Sequence, residues 1–305
     1  SRRFSDLKKV ALKYDIIIVV GVDRDVLKAF HHLGDIDVPV LGVNTTETPS
    51  FLASLKLSDF EEFADRLLTK NYKIEMCPRL KSLIDDTPSP YALNEVAVFP
   101  YRSASLMEYR LEVNGEEVWR DYADGVIIST PLGSTAYAMS AGGPVVHPGS
   151  KVFVIVPVNS LDPSRRPLVI PQDVRIKISE LNSRYQCETI IDGVYRRKVY
   201  DEIKVSLGPY ARIIRIKEEH RVSEKMIKKI EISREIAKMP PSAKFVLKVL
   251  EEEGPLTLRA LVKKTMLPTR TVQHALSILI RSGLVTKTPN LRDVRQDLYR
   301  VIKIS

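Results

Sequence analysis

Residues 130–144 read TPLGSTAYAMSAGGP and have the composition of a ligand-binding turn. The strand-like run 126–129 precedes them, and between Gly133 and Ser140 only Tyr137 and Met139 are bulky. Glycine and small hydroxyl residues let a ligand approach the backbone, and Ser or Thr can hydrogen-bond a ribose or a phosphate. A helix starting near Ser134 would also point free N–H groups at that ligand. A tightly packed turn without a ligand is the alternative.

The segment resembles the signature of the NAD kinase family, which has the form ADG…TPTGSTAY…SAGGP. Ala123-Asp124-Gly125 precedes it here, and Leu132 replaces a residue that is usually small. Further marks of the family are Asn94-Glu95, Gly42-Val43-Asn44 and Asp192-Gly193. The resemblance covers roughly residues 15–200. It implies an α/β N-terminal subdomain followed by a β-rich subdomain.

The resemblance also implies a site for a pyridine dinucleotide. The residues that would surround the adenosine portion are Asn94, Glu95, Thr135, Ala136, Tyr137 and Ser140. Asp124 would face the nicotinamide side, and Asp192 belongs to the retained Asp-Gly pair. The expected ligand is NADP(H) or NAD(H).

The phosphate-donor region departs from the family. The family places a GGDG motif after a buried strand, and this chain has Gly21-Val22-Asp23-Arg24. Asp23 matches the residue that acts in the family as base for the ribose hydroxyl. Val22 and Arg24 obstruct a triphosphate, because a phosphate-binding backbone needs glycine for close approach. Arg24 lies where it could favour a 2′-phosphate, and a surface ion pair with Asp25 is the alternative.

Composition and charge indicate a soluble protein with a basic C-terminal part. The net charge is +9, and residues 240–305 hold 12 Lys or Arg against 5 Asp or Glu, a net of +7. This segregation favours a polyanionic partner. No membrane span or signal peptide is expected, and two cysteines indicate a reducing, cytoplasmic location without disulfides. The five histidines show no metal-ligand spacing, and His31 and His32 are interpreted as residues at a helix end.

The pattern along the chain predicts four segments. Residues 1–73 form a small α/β subdomain, in which the run DIIIVV (15–20) is expected to be a strand buried on both faces. Residues 74–217 form a β-rich dinucleotide-binding subdomain, with a hairpin turn at Asn114-Gly115. Residues 218–239 form a linker helix, and residues 240–305 a DNA-binding domain.

This last segment resembles a winged helix-turn-helix. Three helices are followed by two strand-like runs with a basic tip, and the helix over 269–282 would enter the major groove of double-stranded DNA. The residues expected to contact DNA are Thr269, Arg270, Gln273, His274, Arg281, Lys287, Arg292 and Arg295. A module for protein docking or dimerisation is the alternative.

Two functions follow from these patterns. The first is a transcription regulator, in which a degenerate NAD kinase fold acts as a pseudokinase that senses NAD(P) and a winged helix binds DNA, in a homodimer or homotetramer. The second is an active NAD kinase with an appended regulatory domain. In that case Asp23 is catalytic, and ATP or polyphosphate with Mg²⁺ supplies the phosphate. A structural or docking role remains a third possibility.

Overall fold

The computed structural model describes residues 7–46, 50–53, 55–102, 105–215, 236, 238–289 and 297–301. The chain divides near residue 218 into two compact units, which are described separately. Arg292, Arg295 and nearly all of the predicted linker helix 218–239 lie outside the described residues.

The elements of the first unit alternate between helix and strand and then become almost entirely strand. Its helices are α1 Leu7–Ala11, α2 Asp23–Leu33, α3 Phe60–Leu68 and α4 Tyr137–Ser140. Its strands are β1 Ile17–Gly21, β2 Val40–Asn44, β3 Leu55–Lys56, β4 Lys73–Cys77, β5 Leu80–Ile84, β6 Thr87–Pro88, β7 Glu95–Pro100, β8 Met107–Val113, β9 Glu116–Ala123, β10 Gly125–Ser129, β11 Val152–Val158, β12 Leu168–Pro171, β13 Ile176–Ser183, β14 Cys187–Ile191, β15 Tyr195–Val199, β16 Ile203–Leu207 and β17 Ala211–Arg215.

The first sheet has the order β1-β2-β17-β4, with β3 paired to β2. Strands β1 and β2 are parallel, whereas β17 and β4 are antiparallel. The late strand β17 therefore returns to the N-terminal sheet, so the boundary expected after residue 73 does not coincide with the edge of this sheet. A change from helix–strand alternation to short successive strands in the sequence does not reveal that a late strand joins an early sheet.

Strand β1 differs from the sequence expectation, because only one of its faces is buried. Ile17 and Val19 are buried against α2, whereas Ile18 and Val20 are 42% and 58% exposed. The reason is position: β1 is the end strand of the sheet. A continuous apolar run does not distinguish a central strand from an end strand.

The β-rich part is a sandwich of two six-stranded sheets. Their orders are β12-β11-β10-β7-β14-β15 and β6-β5-β16-β13-β8-β9. The main core lies between them, with inward side chains such as Val98, Ile128, Phe153 and Ile178. The expected turn at Asn114-Gly115 joins β8 to β9, and both residues have positive φ, as a two-residue hairpin loop requires.

The turn after β10 is held at the junction of the two subdomains. Leu132, which departs from the family pattern, is buried in the core of the first subdomain beside α2. A Cβ at Gly133 would lie 2.1 Å from the carbonyl oxygen of Asn94. Only glycine therefore allows these two backbone segments to touch.

The second unit is a helix-turn-helix with a small sheet. Its elements are α5 Pro241–Glu253, β18 Leu256–Thr257, α6 Leu258–Thr265, α7 Thr269–Arg281, β19 Val285–Pro289 and β20 Asp297–Val301. The sheet order is β18-β20-β19, and the helices share one core that includes Val246, Leu261, Val272 and Leu279. The Thr257 hydroxyl accepts the N–H of Ala260 at 3.3 Å and caps α6. This is the winged arrangement that the sequence predicts.

Two neighbouring valines test the orientation of β1. Val19→Thr should lower the free energy of unfolding by about 1–2 kcal/mol, because it buries a hydroxyl group. Val20→Thr should change it by less than about 0.5 kcal/mol. Urea unfolding of both variants checks this, and equal losses would show that β1 is covered on both faces.

The contact at Gly133 gives a second expectation. Gly133→Ala should lower the free energy of unfolding by about 2 kcal/mol or more, since the added carbon meets backbone atoms that cannot move aside easily. The matched control is Gly149→Ala, where the nearest atom would be 3.4 Å away. A Gly133→Ala protein as stable as this control would contradict the packing described for the turn.

Candidate functional site

The carboxyl ends of β1 and β2 meet at one edge of the first sheet, where Gly21 pairs with Asn44. In open parallel sheets this edge is the usual ligand-binding position. The Asn44 side chain is buried and accepts the N–H and the hydroxyl of Thr46, each at 2.9 Å. A single residue, Val22, then separates β1 from α2.

The first turn of α2 is occupied by its own carboxylates. The Asp25 carboxylate accepts the N–H of Val22 at 3.1 Å, and a Cβ at Gly21 would lie 2.4 Å from the same carboxylate oxygen. Asp23 is half-buried, and its Oδ1 accepts the N–H groups of Leu52 and Ala53 at 2.9 and 3.1 Å. Asp23 and Asp25 therefore stand where a helix N-terminus would otherwise attract an external anion.

Arg24 is exposed in the same turn. The alternative that it pairs with Asp25 is not seen, because Asp25 caps Val22 instead. Within the described part of the chain no ion pair of Arg24 is found, so its guanidinium group faces solvent beside Asp23.

The loop 130–136 is hydrogen-bonded within itself and to the segment 93–94. Thr130 donates its N–H to Asn94 and its hydroxyl to Leu93, and Ser134 donates its N–H to Thr130. The helix expected to start near Ser134 is instead a 3-10 turn over Gly133–Thr135 followed by a helix of four residues, Tyr137–Ser140, and the N–H of Ser134 itself is not free. The loop thus supports the backbone of Asn94.

An aromatic and acidic surface beside this loop combines Tyr137, Phe99 and Asp124 with Glu95, whose side chain is buried. Glu95 and Phe99 lie on the same face of β7, since they are four positions apart in a strand. The ring centroids of Phe99 and Tyr137 are 5.8 Å apart. The pKa of the Tyr137 hydroxyl is raised, first by burial and then by the charges of Glu95 and Asp124. These residues thus share one electrostatic neighbourhood. Phe99 was missed by sequence reasoning, although its spacing of four from Glu95 on a strand places it on the same face.

The other predicted ligand residues differ in accessibility. Ser140 is exposed, Ala136 is half-buried, and Asp124 accepts the Asn159 amide at 2.8 Å. Thr135 is buried, and its hydroxyl donates to the Leu132 carbonyl at 3.3 Å. Asn94 is half-buried just before β7. The structure thus brings Asn94, Glu95 and Tyr137 to one region, while Thr135 faces inward.

Asp192 does not line the surface of this region, because its side chain is fully buried. Its Oδ1 accepts the N–H groups of Asn94 and Glu95 at 2.7 and 3.1 Å. Its Oδ2 accepts the Leu93 N–H at 2.9 Å and contacts His31 Nε2 at 2.7 Å. The predicted ligand residue is therefore a clamp on the backbone of 93–95. His31 sits at the C-terminal end of α2, as expected, and no local sequence signal indicates its contact with Asp192.

In the second unit, the predicted DNA-contacting side chains of α7 share one exposed face. This face consists of Thr269, Arg270, Gln273, His274 and Arg281. The opposite face, with Val272, Ala275, Leu276 and Leu279, is buried in the domain core. In the wing, Lys287 Nζ is 2.8 Å from Asp297 Oδ2, and this contact raises the lysine pKa. One cation of the predicted set is thus paired within the protein.

The two cysteines of the chain are shielded by burial. Cys77 and Cys187 are free and buried, and burial raises their pKa values to about 12 and about 11. Both thiols are therefore protonated at neutral pH. Within the described ranges no helix is long and apolar enough to cross a membrane.

Comparison with known families accounts for most of the chain. The family described as ATP-NAD kinase N-terminal domain matches residues 5–72, and ATP-NAD kinase C-terminal domain matches residues 93–216. The RNA polymerase III subunit RPC82 helix-turn-helix domain matches residues 242–286.

Individual relatives agree with this assignment. A NAD kinase of Methanopyrus kandleri is 33% identical over 73% of this chain and 81% of its own length. A NAD kinase of Bacteroides fragilis is 37% identical over 59% of this chain, which spans 62% of that relative. The crystal structure of an NAD kinase from Archaeoglobus fulgidus in complex with ATP has a TM-score of 0.64 at 26% identity, covering 75% of this chain and 94% of the other. Yeast NADH kinase complexed with NADH shares the fold, with a TM-score of 0.62 at 24% identity over 69% of this chain and 64% of the other. The chain therefore belongs to the NAD kinase family and carries in addition a C-terminal helix-turn-helix domain.

Proposed function

We propose that this protein is a DNA-binding transcription regulator that senses a pyridine dinucleotide, NADP(H) or NAD(H), with a NAD kinase fold. The observation that carries the proposal is the first turn of α2, where Asp25 fills the space beside Gly21 and caps the Val22 amide. A triphosphate needs an open, glycine-lined backbone at such a turn. This turn is closed by side chains, so the residues present do not fit a phosphate donor.

The residues of the other half fit a dinucleotide. Tyr137 is half-exposed beside Phe99, which suits stacking of an adenine ring. Glu95 and Asp124 can accept hydrogen bonds from ribose hydroxyls, and Asn94 can both donate and accept. Relatives named NAD kinase, and solved structures of kinases in complex with ATP or NADH, support the ligand class. Arg24 beside Asp23 favours the phosphorylated coenzyme in this proposal.

In the proposed regulator the exposed face of α7 binds DNA. Its Arg270 suits guanine or phosphate, and Gln273 suits adenine. Two such helices in a homodimer or homotetramer would read half-sites about one helical turn apart. The dinucleotide can shift this fit only if it binds two states of the protein with different affinity.

A second candidate is an active NAD kinase, favoured by retention of Asp23 at the carboxyl end of β1 and by the names of the relatives. In that case Asp23 would take the proton of the 2′-hydroxyl, which attacks the terminal phosphorus of ATP or polyphosphate, and ADP or the shortened polyphosphate leaves. Mg²⁺ would neutralise the phosphate charge.

Calorimetric titration with NAD⁺, NADH, NADP⁺ and NADPH tests the sensing half. We expect binding of at least one coenzyme, weakened about tenfold by Tyr137→Ala, since loss of base stacking costs on the order of 1–3 kcal/mol. Tyr200→Ala, which removes an exposed ring elsewhere in the sandwich, is the matched control. In the same samples with Mg²⁺ and ATP or polyphosphate, no NADP⁺ should form from NAD⁺. Turnover that Asp23→Asn abolishes would establish the kinase instead.

The DNA-binding half is tested with a mixed-sequence 30-base-pair duplex at low salt. Arg270→Ala combined with Arg281→Ala should weaken binding at least tenfold and flatten its salt dependence, because two phosphate or base contacts are lost. Lys248→Ala on α5 removes one exposed cation away from α7 and should have a smaller effect. Unchanged affinity of the double variant would favour a protein-docking module, and a saturating coenzyme without effect on DNA affinity would reject the sensor.

A further inference from the structure

The contact between His31 and Asp192 joins two subdomains through a buried charge. His31 is the ninth residue of α2, and its side chain is 7% exposed, while that of Asp192 is fully buried. The Nε2–Oδ2 distance of 2.7 Å is that of a strong, charge-assisted hydrogen bond. The two residues are 161 positions apart in sequence, so the contact is purely tertiary.

All acceptor positions of Asp192 are used in this arrangement. Three of these positions accept the consecutive N–H groups of residues 93–95, and the fourth faces His31 Nε2. A buried carboxylate that loses one donor is left partly unsatisfied, and its remaining bonds must readjust. The backbone before β7 is therefore coupled to the imidazole of α2.

The same helix carries Asp23 and Arg24 at its other end. His31 is eight positions after Asp23 in the helix, which corresponds to a rise of about 12 Å. Beyond His31, the buried Arg79 donates from Nη1 to the Gly34 carbonyl and from Nε to the Pro209 carbonyl, each at 2.7 Å. Burial lowers the pKa of Arg79 to about 10, which leaves it charged at neutral pH. The C-terminal end of α2 is thus held on two sides.

We propose that His31 is a positioning residue for dinucleotide binding. By donating to Asp192 it fixes Asn94 and Glu95 relative to α2, so that the acidic and aromatic surface and the turn with Asp23 and Arg24 form one preorganised site. The proposal rests on the proposed coenzyme site, and it assigns His31 no contact with the coenzyme.

The test compares two substitutions of similar size. His31→Gln keeps an N–H donor toward Asp192, and His31→Leu removes it. We expect the affinity for the best-binding coenzyme to stay within about threefold of the wild type in the Gln variant and to fall at least tenfold in the Leu variant. Affinities are measured well below the unfolding temperature of each protein, so that global stability does not enter.

Amide hydrogen exchange without coenzyme gives the local readout. In His31→Leu the protection of the Leu93, Asn94 and Glu95 amides should fall, whereas that of Ile127 and Ile128 in β10 should not change. Equal loss in both segments, equal behaviour of the Gln and Leu variants, or unchanged protection would each overturn the proposal. If the Leu variant does not fold, reduced protection of residues 93–95 in His31→Gln overturns it, and wild-type protection there supports it.

The affinity measurement and the hydrogen-exchange measurement together separate this inference from the proposed function. If the wild type binds none of the four coenzymes, the proposed sensor fails, and with it the dinucleotide role of His31. The exchange measurement then still reports whether the contact orders residues 93–95. If the wild type binds and the Leu variant binds equally well, only the positioning role is lost.

Discussion

The site region depends on the backbone hydrogen bonds that the Asp192 carboxylate accepts. This carboxylate satisfies three consecutive backbone amides that precede β7, at a place where water does not reach the side chain. Without it the amides of the buried residues Leu93 and Glu95 would lack partners, at a cost of about 1–3 kcal/mol each. The Thr130 hydroxyl and the bare Cα of Gly133 hold the same segment from the other side. The Asp192-Gly193 pair and the stretch 130–144, both marks of the family, therefore hold Asn94 through its backbone.

The two regions that the proposed function assigns to the phosphate donor and to the dinucleotide differ in chemical character. At the β1 edge, Asp23 and Asp25 use the N-terminal turn of α2 for internal hydrogen bonds. At the β7 face, Tyr137, Phe99 and Glu95 stay together with part of the tyrosine exposed. In the proposed function this difference corresponds to a dinucleotide site kept without a site for the phosphate donor.

Local patterns in the sequence predicted most of the framework. The hairpin at Asn114-Gly115 and the apolar stripe of α7 were correct, because turn chemistry and helical periodicity are local. The resemblance to a family predicted the β-rich subdomain and assigned Asn94, Glu95 and Tyr137 to one region, without predicting that the strands form a sandwich. The exposure of Ile18 and Val20 was not predictable, since being at the end of a sheet depends on strand order. The contact of His31 with Asp192 was equally hidden, because its partners are distant in sequence.

The geometry at Gly21 determines how many replacements would be needed to open this turn. The space that an open turn would offer is filled by a side chain from the next turn of the helix, Asp25, and not only by Val22 and Arg24. Glycine at position 22 alone would leave that carboxylate in place, and loss of Asp25 alone would leave the bulk of its neighbours. Opening the turn thus requires several coordinated replacements, because no single substitution removes all the side chains that close it.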